Sequence, residues 1–268
     1  MRPVSDIHDE QLIVVGTGIR ATGQLTIETI AWIRAADKVL YITADPVAEE
    51  VIRSLNPDGA ESLMDLYGSD KLRLDTYADI VERTMAYLHQ GHRVCMAVYG
   101  HPGVLAMSTH EAVRRARAEG FSARMLPAVS AADCLYADLG VDEFGGCISY
   151  EATDFLLNMR AIDPACHLIL WQIGGVGVLT YETHHYPLQG LERLTQKLMA
   201  YYGPNHPVTL YEAPQFAGVE PIIGTGPLCQ LPHSAPTPNA TMYIPPLGKA
   251  QPDVQVQWEL GMQTQVTA

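Results

Sequence analysis

Short, almost wholly apolar runs alternate with amphipathic stretches along the first half of the chain. The runs at residues 12–16, 39–43, 93–98 and 122–127 are typical of strands buried on both faces of a sheet. Between the first two runs, apolar residues recur at helical spacing over residues 25–36. This regular alternation of strand and helix predicts a mainly parallel sheet covered by helices.

Local signals place three further helices in this half. Asp45 is expected to be the N-cap of a helix that has Pro46 in its first turn. Two longer amphipathic stretches predict helices at about residues 75–90 and 107–119. Ser130, which follows a turn of small residues, is a candidate N-cap for a helix that opens just after the fourth strand.

The pattern changes after Gly140, where a segment that contains Gly145 and Gly146 separates two regions. In the second region the predicted strands are residues 147–152, 167–174, 208–213, 221–228 and 241–244, the last two in an antiparallel part, and a helix is expected at residues 191–202. We therefore expect an N-terminal α/β lobe at residues 1–140, a C-terminal α/β lobe at 141–246 and a polar tail at 247–268.

Charge and composition exclude several classes of function. The 268-residue chain has a net charge of −13, which argues against non-specific nucleic-acid binding, because that needs clustered Lys and Arg. No apolar run approaches the ~20 residues that span a bilayer, so no membrane segment is expected. Five cysteines, without a C-x-x-C pair, and a polar N-terminus without a signal peptide indicate reduced, buried thiols in a cytoplasmic protein.

Familiar cofactor motifs fit poorly. Gly16, Gly18 and Gly23 follow the first strand, but their spacing differs from the dinucleotide fingerprint, and Asp45 lies beyond the end of the second strand. His184 and the adjacent histidine at 185 point in different directions and have no carboxylate at ligand spacing, so no metal site is expected.

Turns rich in small residues follow several predicted strands. The central one is Tyr99-Gly100-His101-Pro102-Gly103, in which Gly100 and Gly103 permit positive φ and close approach of a ligand. The others are Gly16-Thr17-Gly18, Pro127-Ala128-Val129-Ser130-Ala131, Gln172-Ile173-Gly174 and Tyr211-Glu212-Ala213-Pro214. Because ligands bind beyond the carboxyl ends of parallel strands, these turns are expected to line one cleft. Alone, the Tyr99 turn is equally compatible with an ordinary strand-to-helix loop.

In this order, the turns resemble the tetrapyrrole (corrin/porphyrin) methylase superfamily. That family has two α/β lobes and binds S-adenosylmethionine in a folded shape between them. Its usual Gly-Asp-Pro-x-x-x-Gly motif is replaced here by Gly100-His101-Pro102-Gly103. Together with Arg73–Tyr77, Ser149–Phe155, Leu170–Gln172 and Tyr243–Pro246, the chain is similar to the borosin peptide backbone N-methyltransferases from Leu12 to Pro246.

The resemblance implies a demanding reaction. A backbone amide nitrogen is a poor nucleophile, because its lone pair is delocalised into the carbonyl, so the site needs a base and a group that stabilises charge on the amide oxygen. By resemblance, Arg73 stabilises the oxyanion, Tyr67 or Tyr77 is the base or proton relay, and Tyr99 lies beside the cofactor. From the residues alone, a surface pair one helical turn apart is the favoured interpretation of Arg73 and Tyr77, and a loop anchor that of Tyr67.

The resemblance also implies a set of residues that contact S-adenosylmethionine. These expected cofactor positions are Gly18, Tyr99, His101, Val104, Ser130, Ala131, Gln172, Tyr211, Ala213 and Thr241. The Ser130 hydroxyl and the helix N-terminus suit polar groups of the donor, whereas Val104 and the alanines offer a surface for adenine.

Known borosin enzymes are either fused to the peptide they modify or separate from it. Residues 247–268 contain no obvious long hydrophobic core peptide, so a separate ribosomally made precursor peptide is expected as the partner. Family resemblance further implies a homodimer, and a heterotetramer with two precursor chains. Two other functions stay open: a small-molecule tetrapyrrole or precorrin methyltransferase, and a non-catalytic, nucleotide-binding regulatory module.

Overall fold

The apolar runs of the first half form one parallel five-stranded sheet. The computed structural model describes residues 10–68, 71–180 and 187–262. The strands of the first sheet are β1 (Leu12–Gly16), β2 (Lys38–Ile42), β3 (Ala60–Ser62), β4 (Val94–Val98) and β5 (Ala123–Met125), arranged in the order β3-β2-β4-β1-β5. The predicted parallel sheet is thus confirmed, and β3 is a short addition to it.

Helices cover both faces of this sheet. The helices of the first half are α1 (Ala21–Gln24), α2 (Ile27–Ala35), α3 (Pro46–Leu55), α4 (Arg73–His89), α5 (Met107–Ala118) and α6 (Ala131–Leu139). Helices α2 and α3 cover one face, α4 and α5 cover the other, and α6 packs towards the second half of the chain. Successive β1 residues alternate between two cores: Leu12 and Val14 pack towards α4 and α5, and Ile13 and Val15 pack towards α2 and α3. This burial on both faces explains why the strands are apolar at nearly every position.

The second half forms a mixed sheet. Its strands are β6 (Cys147–Glu151), β7 (His167–Trp171), β8 (Pro207–Glu212), β9 (Ile222–Pro227) and β10 (Thr241–Ile244), in the order β6-β7-β10-β8-β9. Only β6 and β7 are parallel; β10 pairs antiparallel with β7 and β8, and β8 with β9. The helices here are α7 (Ala152–Leu157), α8 (Leu188–Tyr202) and α9 (Val254–Glu259).

A separate apolar cluster joins the two sheets. Ile19 and Leu135 from the first half pack with Trp171, Tyr211 and Tyr243 from the second. These second-half side chains come from the face of the mixed sheet opposite to α8. The contact therefore brings the loop after β1 and the end of β7 to the same place.

The centre of the first sheet is also its topological switch point. The chain leaves β1 for β2 and leaves β4 for β5, so the two connections depart in opposite directions from adjacent strands. The register pairs Gly16, the last residue of β1, with Val98, the last residue of β4. A crevice at such a point is the usual ligand site of an open α/β sheet.

Gly16 lets the two loops meet. A Cβ atom built on Gly16 would lie 2.2 Å from the Gly100 carbonyl oxygen and 2.5 Å from Ala128 Cβ. Both neighbours belong to turns at the same edge of the sheet, and the nearer one is backbone. Only glycine therefore allows this approach without a shift of the loop.

Gly16→Ala is expected to lower the free energy of unfolding by about 3 kcal/mol, because the added methyl overlaps backbone. Chemical denaturation would measure the change. Gly23→Ala is the matched control, since Gly23 has no atom within 4 Å of a built Cβ, and its effect is expected to stay within about 1 kcal/mol. Equal stability of the two variants would contradict the packing argument.

Several boundaries differ from the sequence prediction. Helix α4 begins at Arg73 rather than near residue 75, because Leu72 is its N-cap. Strand β7 ends at Trp171, since Gln172 adopts a left-handed conformation, and Ala152 begins α7 rather than ending β6. The predicted caps at Asp45 and Ser130 are confirmed.

The thiols agree only in part with the expectation. All five cysteines are free, and Cys95 is buried in the first core, where burial raises the pKa of its thiol. Cys229 is exposed, however, and three others are half-buried. The expectation of uniformly buried thiols is therefore wrong.

Candidate active site

A pocket of about 260 Å³ opens at the carboxyl edge of both sheets. Turns that follow β1, β4, β5 and β7 contribute to it, as expected from their sequence. Nine predicted site residues line it: Tyr67, Tyr77, Tyr99, His101, Val104, Ser130, Ala131, Gln172 and Thr241. Residues from both halves of the chain thus share one site.

Two glycine turns form one side of this site. Gly18 N–H donates to the Gly100 carbonyl at 3.3 Å, and Gly100 N–H donates to the Gly18 carbonyl at 3.0 Å. Both glycines have positive φ, +71° and +72°, a conformation that glycine adopts readily. Gly103 does not adopt positive φ, contrary to expectation; Leu105 does, at 52°.

His101 is turned back onto its own loop. Its Nδ1 accepts a hydrogen bond from Gly103 N–H at 2.9 Å. In the usual family motif an acidic residue stands at this position. Here the imidazole fixes the turn internally.

Ser130 lies at the start of α6, where its hydroxyl and Asp133 form a reciprocal capping box. The Ser130 hydroxyl donates to Asp133 Oδ2 at 2.7 Å. The hydroxyl is therefore already engaged, and Ala131 follows it on the pocket wall. The first turn of α6 presents further backbone N–H groups at this edge.

The backbone is strained at two residues that line the pocket. Leu105 and Gln172 have φ of 52° and 58°, and both line the pocket. Non-glycine residues in this region cost about 1–3 kcal/mol and cluster at ligand sites. Gly174 allows the Gln172 turn, since a Cβ there would lie 2.1 Å from the Thr237 carbonyl oxygen.

Arg73 lies at the rim and links the two halves. Its Nη1 donates to Gln172 Oε1 at 3.4 Å, and its Nε donates to the Thr180 carbonyl at 3.3 Å. Its backbone N–H donates to the Leu179 carbonyl at 3.1 Å, and Leu72 forms an isolated bridge with Thr180. The first turn of α4 is therefore attached to the second half of the chain.

The tyrosines are held in their neutral form. Burial raises the pKa of Tyr77; the nearby Arg73 lowers it, but by less. Burial also raises the pKa of Tyr99 to about 12. A cation beside Tyr77 is thus present, as the sequence suggested, yet it does not outweigh burial in the structure as it stands.

Four predicted residues stand apart from the pocket lining. Gly18 contacts the lining residue Gly100 through a backbone bridge, and Arg73 contacts the lining residue Gln172 through a hydrogen bond. Tyr211 is buried, and its hydroxyl donates to Asp138 Oδ2 at 2.6 Å, so the structure does not bring this phenol to the cavity. Ala213 is buried in the inter-lobe cluster, and its contact with a cofactor stays a prediction.

Sequence reasoning missed part of the lining. The additional residues are Ile19, Ile42, Val98, Leu105, Ala106, Met107, Ser108, Thr109, Trp171 and Asn239; Gly100, of the predicted turn, also lines the pocket. Trp171 precedes Gln172 and was identifiable from its place at the end of a strand. Asn239 belongs to an irregular loop, and no sequence signal connects it with the first lobe.

The described residues also bear on metal binding and on membrane spanning. Over residues 10–68, 71–180 and 187–262, no group of three or more His, Cys, Asp or Glu side chains is placed to hold a metal ion. The histidine pair at 184 and 185 lies outside the described residues. Among the described helices, none combines the length and the apolar character needed to cross a membrane.

Comparison with solved structures supports the fold. A uroporphyrin-III C-methyltransferase from Thermus thermophilus superimposes with a TM-score of 0.63 at 18% identity, covering 95% of this chain and 97% of the other. A cobalt precorrin-4 methyltransferase superimposes with a TM-score of 0.62 at 13% identity, covering 92% and 99%.

Comparison of sequences gives nearer relatives. A methyltransferase/ribosomally synthesized cyclic peptide dendrothelin A precursor from Dendrothele bispora is 40% identical over 91% of this chain and 59% of its own length. The corresponding omphalotin A precursor from Omphalotus olearius is 36% identical over 91% of this chain and 60% of its own. The chain thus spans about three fifths of the length of these relatives.

The family model of the tetrapyrrole (corrin/porphyrin) methylases matches residues 11–218, which include both sheets up to the end of β8. The matched residues include every turn that lines the pocket after β1, β4, β5 and β7. The lining residues Asn239, just before β10, and Thr241, the first residue of β10, lie outside the match. The chain therefore belongs to the tetrapyrrole (corrin/porphyrin) methylase family.

Proposed function

We propose that this protein transfers a methyl group from S-adenosylmethionine to backbone amide nitrogens of a peptide. The observation that carries this proposal is the grouping of Tyr67, Tyr77 and Tyr99 in one pocket, with Arg73 at its rim. Further support comes from relatives 36–40% identical whose names join a methyltransferase to a cyclic peptide precursor.

The pocket has the character that the methyl donor requires. Positive φ at Gly100 and the absence of a Cβ at Gly16 let the loops after β1 and β4 meet, and Ile19 and Gly100 of these loops line the cavity. Val104 is 41% exposed and offers an apolar surface, whereas the buried Thr241 supplies a hydroxyl. When bound, the donor supplies an electrophilic methyl group on a sulfonium centre. In this interpretation the strained Gln172 turn positions one wall of the donor site.

Arg73 suits stabilisation of an amide oxygen that gains negative charge. Its guanidinium is always protonated and presents several N–H donors in one plane. Its present contacts to Gln172 and Thr180, at 3.4 and 3.3 Å, are long, so stronger acceptors can replace them. A developing imidate oxygen is such an acceptor, because charge-assisted hydrogen bonds are shorter and stronger.

The tyrosines suit the handling of the amide proton. Because burial raises the pKa of Tyr77 and of Tyr99, both phenols are protonated in the resting protein. Tyr77 can accept the amide proton only if it gives up its own proton at the same time. Tyr67, which lines the same pocket, is the candidate relay: it would take that proton and release its own proton to solvent water. Tyr99 is left to donate a hydrogen bond beside the donor site.

The peptide is expected to come from another chain. Within the described residues, the segment after β10 leads away from the pocket: Leu247 N–H donates to the Pro164 carbonyl at 2.8 Å, at the amino end of β7. We therefore propose a precursor peptide presented in trans to lobes 1–140 and 141–246, with residues 247–262 of the tail outside the site. A homodimer that binds two precursor chains is part of this hypothesis.

Incubation of the purified protein with S-adenosylmethionine and a panel of hydrophobic peptides tests the function. Mass spectrometry is expected to show added methyl groups on backbone nitrogens of a peptide. Methylation of precorrin substrates alone would favour the small-molecule function, and donor binding without turnover would favour a regulatory module. Methyl groups found only on the protein's own residues 247–268 would contradict a separate precursor.

Tyr99→Phe is expected to leave the shape of the pH–rate profile unchanged between about pH 7 and 10. With a pKa of about 12, the Tyr99 phenol keeps its proton throughout this range and contributes no ionisation to the rate. Initial methylation rates of wild type and variant would check this. A slope present in the wild type and lost in the variant would show instead that Tyr99 ionises during turnover.

A further inference from the structure

Glu151 carries a carboxylate oxygen without a hydrogen bond. It is the last residue of β6 and pairs in register with Trp171, so it lies at the same sheet edge as the pocket. Its Oε2 accepts a hydrogen bond from Asp154 N–H at 2.6 Å, in the first turn of α7. Its Oε1 is buried and has no hydrogen-bond partner among the described residues.

A cation, the Arg73 guanidinium, lies close to this oxygen. The distance between Glu151 Oε1 and Arg73 Nη1 is 4.0 Å, and each side chain is only 22% exposed. A buried carboxylate oxygen is costly unless a charge offsets it. The Arg73 cation supplies that charge, although the separation is too long for a hydrogen bond.

Arg83 pairs with its carboxylate partner differently. Arg83 on the same helix makes two hydrogen bonds of 2.8 Å to Asp65, one from each terminal nitrogen. Such a pair occupies the guanidinium donors. In the Arg73–Glu151 pair the two charges offset each other at 4.0 Å, while the N–H donors of Arg73 make only long contacts to Gln172 and Thr180.

The two residues come from different lobes. Arg73 opens α4, which packs in the first lobe, and Glu151 ends β6 in the second. The Glu151 carboxylate is itself fixed by the N-terminus of α7. The Glu151 carboxylate is therefore a fixed negative charge. It lies in the second lobe, close to the guanidinium of Arg73, which reaches it from the first lobe.

We infer that Glu151 is a positioning residue, which holds the Arg73 guanidinium beside the pocket by charge. The N–H donors of Arg73 then make only long contacts, which a substrate oxygen can replace. This inference rests on the proposed function, because it assigns Arg73 a role towards the amide. The influence of Glu151 on Tyr77 agrees with the same geometry: its charge raises the pKa of Tyr77, whereas Arg73 lowers it.

A merely structural role for Glu151 is the N-cap of α7. Glu151→Gln separates the two roles, since the amide oxygen can still accept from Asp154 N–H while the charge is lost. Asp154→Asn is the matched control: it removes a neighbouring carboxylate that pairs with Arg160 at the surface. Thermal melts of both variants would show that the fold is kept.

Two readouts test the inference. For Glu151→Gln, kcat for peptide methylation is expected to fall about 10²-fold, with the KM for S-adenosylmethionine unchanged, since a misplaced group costs about this much. Trypsin cleavage after Arg73 is expected to be faster than in wild type. Asp154→Asn is expected to match wild type in both measurements.

Wild-type values of either kcat or the cleavage rate in Glu151→Gln would overturn the inference. Because the cleavage measurement requires no methylation, it still applies if the wild-type protein fails to methylate peptides. In that case the proposed function fails, and faster cleavage alone still shows that Glu151 restrains Arg73.

Discussion

Replacement of Arg73 by lysine is expected to lower the rate of peptide methylation about 10²–10³-fold, the usual cost of losing one preorganised oxyanion donor. Lysine keeps the positive charge but loses the planar set of donors that can replace the contacts to Gln172 and Thr180 with an amide oxygen. Donor affinity, measured by calorimetry with S-adenosylmethionine, is expected to change little, because Arg73 lies outside the pocket lining.

Arg83→Lys is the matched control for this prediction. Arg83 lies on the same helix and pairs with Asp65 at the surface. It is expected to retain the wild-type rate within about twofold, since surface ion pairs contribute at most about 1 kcal/mol to stability. Equal rates for the two lysine variants would show that the forked donor set of Arg73 has no part in the reaction.

The second large effect is expected for Tyr77→Phe, with a loss of about 10²–10⁴ in kcat, the range that general acid–base groups contribute. The phenol of Tyr77 lines the pocket beside Tyr67 and is protonated because burial raises its pKa. Removal of the hydroxyl interrupts proton transfer, while the ring keeps its packing. Single-turnover rates with saturating donor would measure the chemical step directly.

Tyr87→Phe, ten residues further along α4, is the control. Its hydroxyl donates to Glu61 away from the pocket, and its loss is expected to leave kcat unchanged. A comparison with Tyr67→Phe decides which tyrosine acts on the amide. If both Tyr67→Phe and Tyr77→Phe methylate at the wild-type rate, neither phenol carries the proton.

The fold was largely predictable because burial on both faces leaves a clear sequence signal. Runs such as Leu12–Gly16 and Val94–Val98 have no polar face, and only parallel strands under two helical layers require that. Boundaries were harder. Strand β7 ends early because Gln172 takes a left-handed conformation, which depends on the approach of Gly174 to Thr237, far along the chain.

The site was predictable where it depends on turns and less so where it depends on long-range contacts. Tyr99, Ser130 and Gln172 follow strands that end at one edge, so their convergence follows from topology. The engagement of Tyr211 with Asp138 could not be foreseen, because it pairs residues of different lobes. The same is true of Glu151, whose free oxygen is visible only in three dimensions.

The attachment of the first turn of α4 to the loop at Leu179 and Thr180 has a consequence for protein engineering. Recombination between family members would naturally place the junction between α6 and β6, because β6 is the first strand of the second sheet. Such a chimera would take Arg73 from one parent and the carbonyls that hold it from the other. Exchange of residues 72–77 together with the second half of the chain would keep Arg73 with the carbonyls of Leu179 and Thr180 from the same parent.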